Sequence, residues 1–183
     1  MTVTSRSLLI GGLKSYSSAF AEEQEFVNSF LDLLRSPECF QRTHLPGHIT
    51  GSAWIINPLR DKVLMVHHAK LNKWLQPGGH ADGDENVLRV AVREASEETG
   101  LSELKLLSPH FFDIDIHPIP ARGNFPEHYH HDIRFIFEAD DTQQLRISHE
   151  SYDVTWVSFT ELSRQTYANR SILRMAQKTT DLL

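Results

Sequence analysis

Glu94, Glu97 and Glu98 fall close together in a segment that otherwise reads as an amphipathic helix. At 100° per residue, Val87, Leu88, Ala91, Val92 and Ala95 form one apolar stripe, and Glu98 lies inside it between Val87 and Ala91. Glu94 sits at the border of the stripe and Glu97 one position further round. A helix that only had to pack would not place a carboxylate there, because burying one unpaired costs on the order of several kcal/mol even after relaxation. The three also repel one another at i,i+3 and i,i+4 spacing, and Glu97 and Glu98 load the last turn, where the helix dipole disfavours anions. Local rules tend to fail at functional sites. Carboxylate oxygens gathered on one face are ligands for a hard cation, Mg2+ or Mn2+. The plain alternative is a solvated acidic helix end paired with Arg89 and Arg93.

The residues around this helix narrow the choice. From Gly79 to Leu101 the chain reads Gly, five residues, Glu85, seven residues, Arg93-Glu94, Ala95, one residue, Glu97-Glu98, one residue, Gly100-Leu101. This stretch is similar in every required position to the signature of the Nudix hydrolases, and Trp74-Leu75-Gln76-Pro77-Gly78-Gly79-His80 resembles the loop that precedes it in many members. The resemblance extends from about His48 to the C-terminus.

That resemblance implies an α/β/α sandwich around a mixed sheet and a Mg2+- or Mn2+-dependent hydrolase. Its substrate class is a nucleoside diphosphate linked to another moiety, and water attacks at phosphorus. It implies Glu94, Glu97 and Glu98 as metal ligands, joined by the Gly78 carbonyl. Glu85 and Arg93 are implied to close a polar contact across the loop–helix–loop, with Arg93 also steadying a ligand carboxylate; Gly79 and Gly100 are structural. The general base is implied to be Glu94 or Glu97, or a carboxylate of a later loop, for which Glu150 and Asp153 are available; the alternative for these two is a solvated turn. Two rivals share the fold. A non-catalytic nucleotide sensor would be expected to lose a box carboxylate, and none is lost. A prenyl diphosphate isomerase needs a cysteine near its cleft, and Cys39 lies in the N-terminal extension.

Other residues are open to chemistry. On a strand from His130 onward, His130, Asp132 and Arg134 share one face and Ile133, Phe135 and Phe137 the other. The polar face is expected to line the substrate cleft, Arg134 gripping a phosphate, unless it is an ordinary surface pair with Asp132. His117, His128, His130 and His131 with Asp132 invite a zinc reading, but only the two-residue spacings of His128, His130 and Asp132 fit one. Trp74, beside the glycine loop, is placed to stack on a base or to serve as core. His67, His68, Lys70, Lys73 and His80 surround the loop and read mainly as exposed.

Several elements must position these groups. Ala19 to Arg35 has helical spacing, stopped by Ser36-Pro37, with Glu22, Glu23 and Glu25 loading its first half. Ile49 to Asn57 and Lys62 to His68 read as a hairpin, Lys70 to Gly83 as loop, and Asn86 to Thr99 as the glutamate helix, with Asp84 as N-cap and Gly100 as stop. Strands are expected at Glu103–Leu107, Phe111–His117, His131–Ala139 and Val154–Ser158, with Pro118 to Glu127 as a loop. Thr160 to Gln165 and Asn169 to Leu183 read as helices. From the elements alone the class is a layered α/β or α+β domain. Residues 1–45 are expected to be a helical extension to a domain spanning 46–183.

Composition sets the outer limits. With 183 residues, 18 Lys+Arg, 24 Asp+Glu and a formal charge of −6, the chain is too acidic to coat nucleic acid by counterion release. A small anionic ligand remains compatible if a metal or local cation receives it. No stretch reaches the roughly 18 apolar residues of a membrane span, Leu8 to Leu13 is too short for a secretory core, and Cys39 is alone, so the cytoplasm is the default. The His-rich stretch and the N-terminal helix are open either to setting specificity or to forming a homodimer.

Overall fold

The structure, a computed structural model, describes residues 5–164 and 169–182. In chain order the elements are α1 (Ser5–Ser15), α2 (Ala21–Leu33), β1 (Gly47–Ile56), β2 (Lys62–His68), β3 (Lys73–Leu75), β4 (Gly78–His80), α3 (Val87–Thr99), β5 (Lys105–Leu106), β6 (Asp113–Ile119), β7 (His128–Glu138), β8 (Ser151–Ser158), α4 (Phe159–Arg164) and α5 (Arg170–Asp181). Gln165 and Leu183, expected at helix ends, lie outside the described residues.

The strands form one mixed sheet around β1, which is buried along its whole length. β7 runs parallel to β1 from Gly47↔Tyr129 to Ile56↔Glu138. On the other edge of β1, β2 meets it at Ile56 and β4 pairs antiparallel with Thr50 to Ser52. β6 pairs with β7, and β8 with β2. The glycine loop was expected to lack strands; β3 and β4 are three-residue strands within it, paired with β2 and β1.

Alternation along the strands builds two cores. Ile49, Ala53 and Ile55 of β1 and Ile133, Phe135 and Phe137 of β7 face α3, packing with Val87, Val90, Ala91 and Ala95. Trp54, Ile56, Met65 and Ile136 face the other way, against Ile172 and Met175 of α5. A helix therefore covers each face, which is the α/β/α arrangement. The N-terminal helices join the first core through Leu9, Leu13, Phe30 and Leu34. Glu23, expected merely to load a helix start, is fully buried and accepts from Tyr16 at 2.6 Å, the Ile114 amide at 3.1 Å and Lys178 at 2.6 Å.

Towards its middle, the face shared with α5 becomes polar. Arg134, 2% exposed, is bonded by Asp132 at 2.8 Å, Asp113 at 3.0 Å and Asp115 at 3.2 Å. Asp113 also receives Arg174 and Lys178 from α5. Burial opposes the charge on Asp113 and Asp115. Arg174, Arg134 and Lys178 outweigh it at the first and Arg134 and His117 at the second, so both carboxyls are held below the ordinary range. Because the folded values lie under the unfolded one of about 3.9, their stabilisation is complete above that pH and is lost as pH falls below it. The urea midpoint is accordingly expected to drop between pH 7 and pH 3; equal midpoints would contradict the assigned pairing.

Candidate active site

The glutamate helix begins one step later than its sequence suggests. Asn86, not Asp84, is the N-cap, its side chain accepting from the Arg89 amide at 3.1 Å. Asp84 instead accepts from the Asn86 amide and pairs with Arg89. At the other end Gly100 adopts φ 77°, a conformation that favours glycine, and its amide closes on Ser96 at 2.9 Å. The buried face carries Val90, whereas Val92, expected in the stripe, is 36% exposed. The reason is Gly51: a Cβ there would lie 2.8 Å from the Val87 carbonyl and 3.3 Å from the Val90 Cβ, so the bare glycine draws that side of α3 onto β1.

The same device seats β4. A Cβ on Gly78 would meet the Ser52 hydroxyl, and one on Gly79 would lie 2.5 Å from the Glu94 carboxyl carbon. Glycine therefore lets the strand slide between β1 and the carboxylates. Glu98 is buried at 7% exposure, as its angular position required, and one carboxylate oxygen accepts from the Gly78 amide at 2.9 Å. Among the described residues no cation pairs with it. Burial pushes its pKa up to about 7, the Gly78 amide partly offsets this, and repulsion from Glu94, Glu150 and Glu97 adds to it. Glu94 is also raised, chiefly by burial.

Arg93 lies against Glu94 at 2.8 Å and Glu97 at 3.3 Å, and donates to the His80 carbonyl at 3.0 Å, fastening the helix to the strand. Glu97 is the exposed member, its side chain 61% accessible. The expected Glu85–Arg93 contact is not formed. Glu85 is taken by Arg6 of α1 at 2.9 Å, while Arg6 also holds the Ser36 and Pro37 carbonyls. Glu150 pairs with Lys70 at 2.6 Å, and Asp153 accepts from its neighbour Val154.

Three further expectations change. Arg134 cannot grip a phosphate, because its buried guanidinium already serves three aspartates. His130 does not line an open cleft: it is packed among His48, His80, His117 and His128. His131 faces the opposite side, edge-on to Phe30. Trp74 is half-buried and stacked on His67 at 4.9 Å, and Tyr152 stands edge-on to the same imidazole at 5.4 Å. Tyr152 and His48 were missed. The first sits in the Glu150–Asp153 stretch already singled out; the second carried no local signal.

What the site can do follows from its donors. Glu94, Glu97 and Glu98, of unequal burial, offer carboxylate oxygens of the kind that hard divalent cations take, beside the backbone of Gly78 and Gly79 and the Arg93 guanidinium. The family profile described as NUDIX domain matches residues 48–176. A probable DHNTP pyrophosphohydrolase of Lactococcus lactis is 29% identical over 126 residues, covering 67% of this chain and 74% of the relative. The m7GpppN-mRNA hydrolase NUDT17 of Xenopus laevis is 29% identical over 105 residues, 54% of this chain and only 35% of that protein. Among solved structures, a C. elegans Ap4A hydrolase binary complex superposes with TM-score 0.58 at 17% identity, covering 73% of this chain and 96% of that one.

Proposed function

The chain belongs to the Nudix family and is a hydrolase of pyrophosphate bonds in nucleotide derivatives, and from that premise we propose that Glu94, Glu97 and Glu98 hold its Mg2+ or Mn2+, with the Gly78 carbonyl as a further ligand. The observation that carries this reading is Glu98: a buried carboxylate, oriented by a backbone amide, with no protein cation beside it among the described residues. A divalent cation held by these residues would supply neutralisation of phosphate charge and polarisation of phosphorus towards water.

The chain's own groups do the rest. The Gly78 amide fixes the Glu98 carboxylate so that its other oxygen stays available. Arg93 holds Glu94 and Glu97 in place and ties them to β4 through His80. Deprotonation of the attacking water falls to Glu94 or Glu97. Glu150 would first have to release Lys70, which also lowers its basicity. Trp74 is backed by His67, whose ring Tyr152 meets edge-on, and these aromatic rings are the surface proposed for the nucleobase.

Residues 46–183 carry every group in this scheme. Residues 1–45 serve it from outside through Arg6, whose hold on Glu85 anchors the start of the box. The apolar side of α2 is occupied in the chain's own core through Phe30, so a homodimer would have to use another surface. We place the enzyme in the cytoplasm, which the single buried Cys39 suits.

The test is a panel of nucleoside diphosphate derivatives, nucleoside triphosphates and capped dinucleotides, incubated with Mg2+ or Mn2+ and read by phosphorus NMR. At least one is expected to be cleaved at the pyrophosphate bond, with no cleavage in EDTA. Tight binding with no turnover of any compound would favour the sensor reading.

A further inference from the structure

We propose that His48, His128 and His130 form a second metal site, for a zinc-type divalent cation, distinct from the box carboxylates and independent of their role. The parallel register of β1 and β7 sets His48 directly beside His130, and His128 shares the same face one pleat earlier. One ring nitrogen from each lies within 4.8 Å of the others. Small rotations of the rings would bring all three onto one ion at the roughly 2.0–2.1 Å typical of zinc–imidazole bonds.

Hydrogen bonding selects the ligand atoms. The His128 Nδ1 faces the Pro126 carbonyl at 3.0 Å and the His48 Nδ1 faces the His44 carbonyl at 3.3 Å. A ring nitrogen against a carbonyl must carry the proton, so each Nε2 is left with its lone pair. Carbonyl-anchored imidazoles of this kind are the usual outer-shell arrangement of a metal-bound histidine. The Nε2 atoms of His48 and His130 are buried with no hydrogen-bond partner, and His48 is fully inaccessible. Buried polar atoms are almost always satisfied, and here a shared cation would satisfy both. Ring stacking, seen between His48 and His128 at 5.0 Å, explains proximity but not these two unpartnered nitrogens.

The chemistry also chooses the metal. The carboxylates beside the cluster on β6 and β7 are engaged, Asp115 by His117 and Arg134, and Asp132 by Thr50, Ser52 and Arg134, and the donor set is all nitrogen. Imidazole suits zinc and its late first-row neighbours, whereas Mg2+ and Mn2+ prefer the oxygens of the box, so one chain sorts two kinds of cation. The His80 ring, centred 4.9 Å from His130 and 5.2 Å from His48, is at hand as a fourth ligand, water being the other.

The experiment uses full-length, chelator-stripped protein carrying Glu98→Gln, which removes one of the charged box ligands, titrated with Zn2+ against a chromophoric chelator in excess Mg2+ to occupy the rest of the box. One tight equivalent is expected. Adding His48→Gln or His130→Gln should weaken it by at least about 100-fold, the upper range for losing an outer-shell partner alone. X-ray absorption of the zinc-loaded Glu98→Gln protein should show a nitrogen shell with imidazole scattering, a readout that stands even if a histidine variant fails to fold. Absence of a tight equivalent, unchanged affinity in folded histidine variants, or an oxygen-only shell would overturn the site.

Discussion

Glu98→Gln is expected to lower Mg2+-dependent hydrolysis roughly 100- to 1,000-fold while leaving the protein folded and no less stable. The side chain is buried and accepts from the Gly78 amide, and a glutamine carbonyl can keep that bond. In the absence of metal the carboxyl already holds its proton up to about pH 7, because burial and the neighbouring carboxylates disfavour the charge. The neutral amide therefore imitates the state the metal-free protein prefers, and thermal unfolding in EDTA should not shift downward. What is lost is one charged ligand. A single preorganised electrostatic partner of a developing transition-state charge is worth about 3–4 kcal/mol, which converts to the stated range. Turnover by the variant within tenfold of the parent, at saturating Mg2+, would remove Glu98 from the metal site. Loss of activity together with a collapsed melting temperature would instead mark it as structural.

The legibility of that residue shows what a sequence encodes well. Glu98 was identifiable as a buried carboxylate because helical geometry is local: its angle relative to Val87 and Ala91 follows from position alone. The edges of the same stripe were not readable. Val90 is buried and Val92 exposed because Gly51, on another element, lets α3 approach β1 on one side. The hairpin strands and the parity of β7 were likewise legible from alternation. The three-residue strands β3 and β4 were not, since their pairing with β2 and β1 gives them their identity.

Alternation tells which residues share a face and is silent about what covers it. His130, Asp132 and Arg134 do share one face, as the pattern implied, but α5 brings Arg174 and Lys178 over its middle and turns an expected cleft wall into a buried ion network. At the other end of that face His48, far away in the chain, arrives only through the parallel β1–β7 register. The Glu85–Arg93 expectation failed for a related reason: α1, whose bounds local patterning did not set within the helical extension, delivers Arg6 first.

Arg134→Met should therefore be a stability variant rather than a binding variant. The guanidinium is 2% exposed and spends its donors on Asp132, Asp113 and Asp115, which are themselves buried. Removing it leaves these carboxylates facing one another, with Arg174 and Lys178 reaching Asp113 and Arg174 alone of the two reaching Asp115. Breaking a buried ion pair from one side typically costs about 3–5 kcal/mol, because the partner's charge is left uncompensated. For a chain of this size that corresponds to a fall in melting temperature of roughly 6–20 °C. Methionine keeps much of the volume, so a cavity accounts for little of the loss. A double variant, Arg134→Met with Asp132→Asn, should recover part of it by relieving one stranded charge. The competing expectation, in which Arg134 grips a substrate phosphate, makes the opposite forecast: unchanged melting and a raised KM. Measuring both quantities on the same preparation separates them, and an unchanged melting temperature would refute the network's structural role.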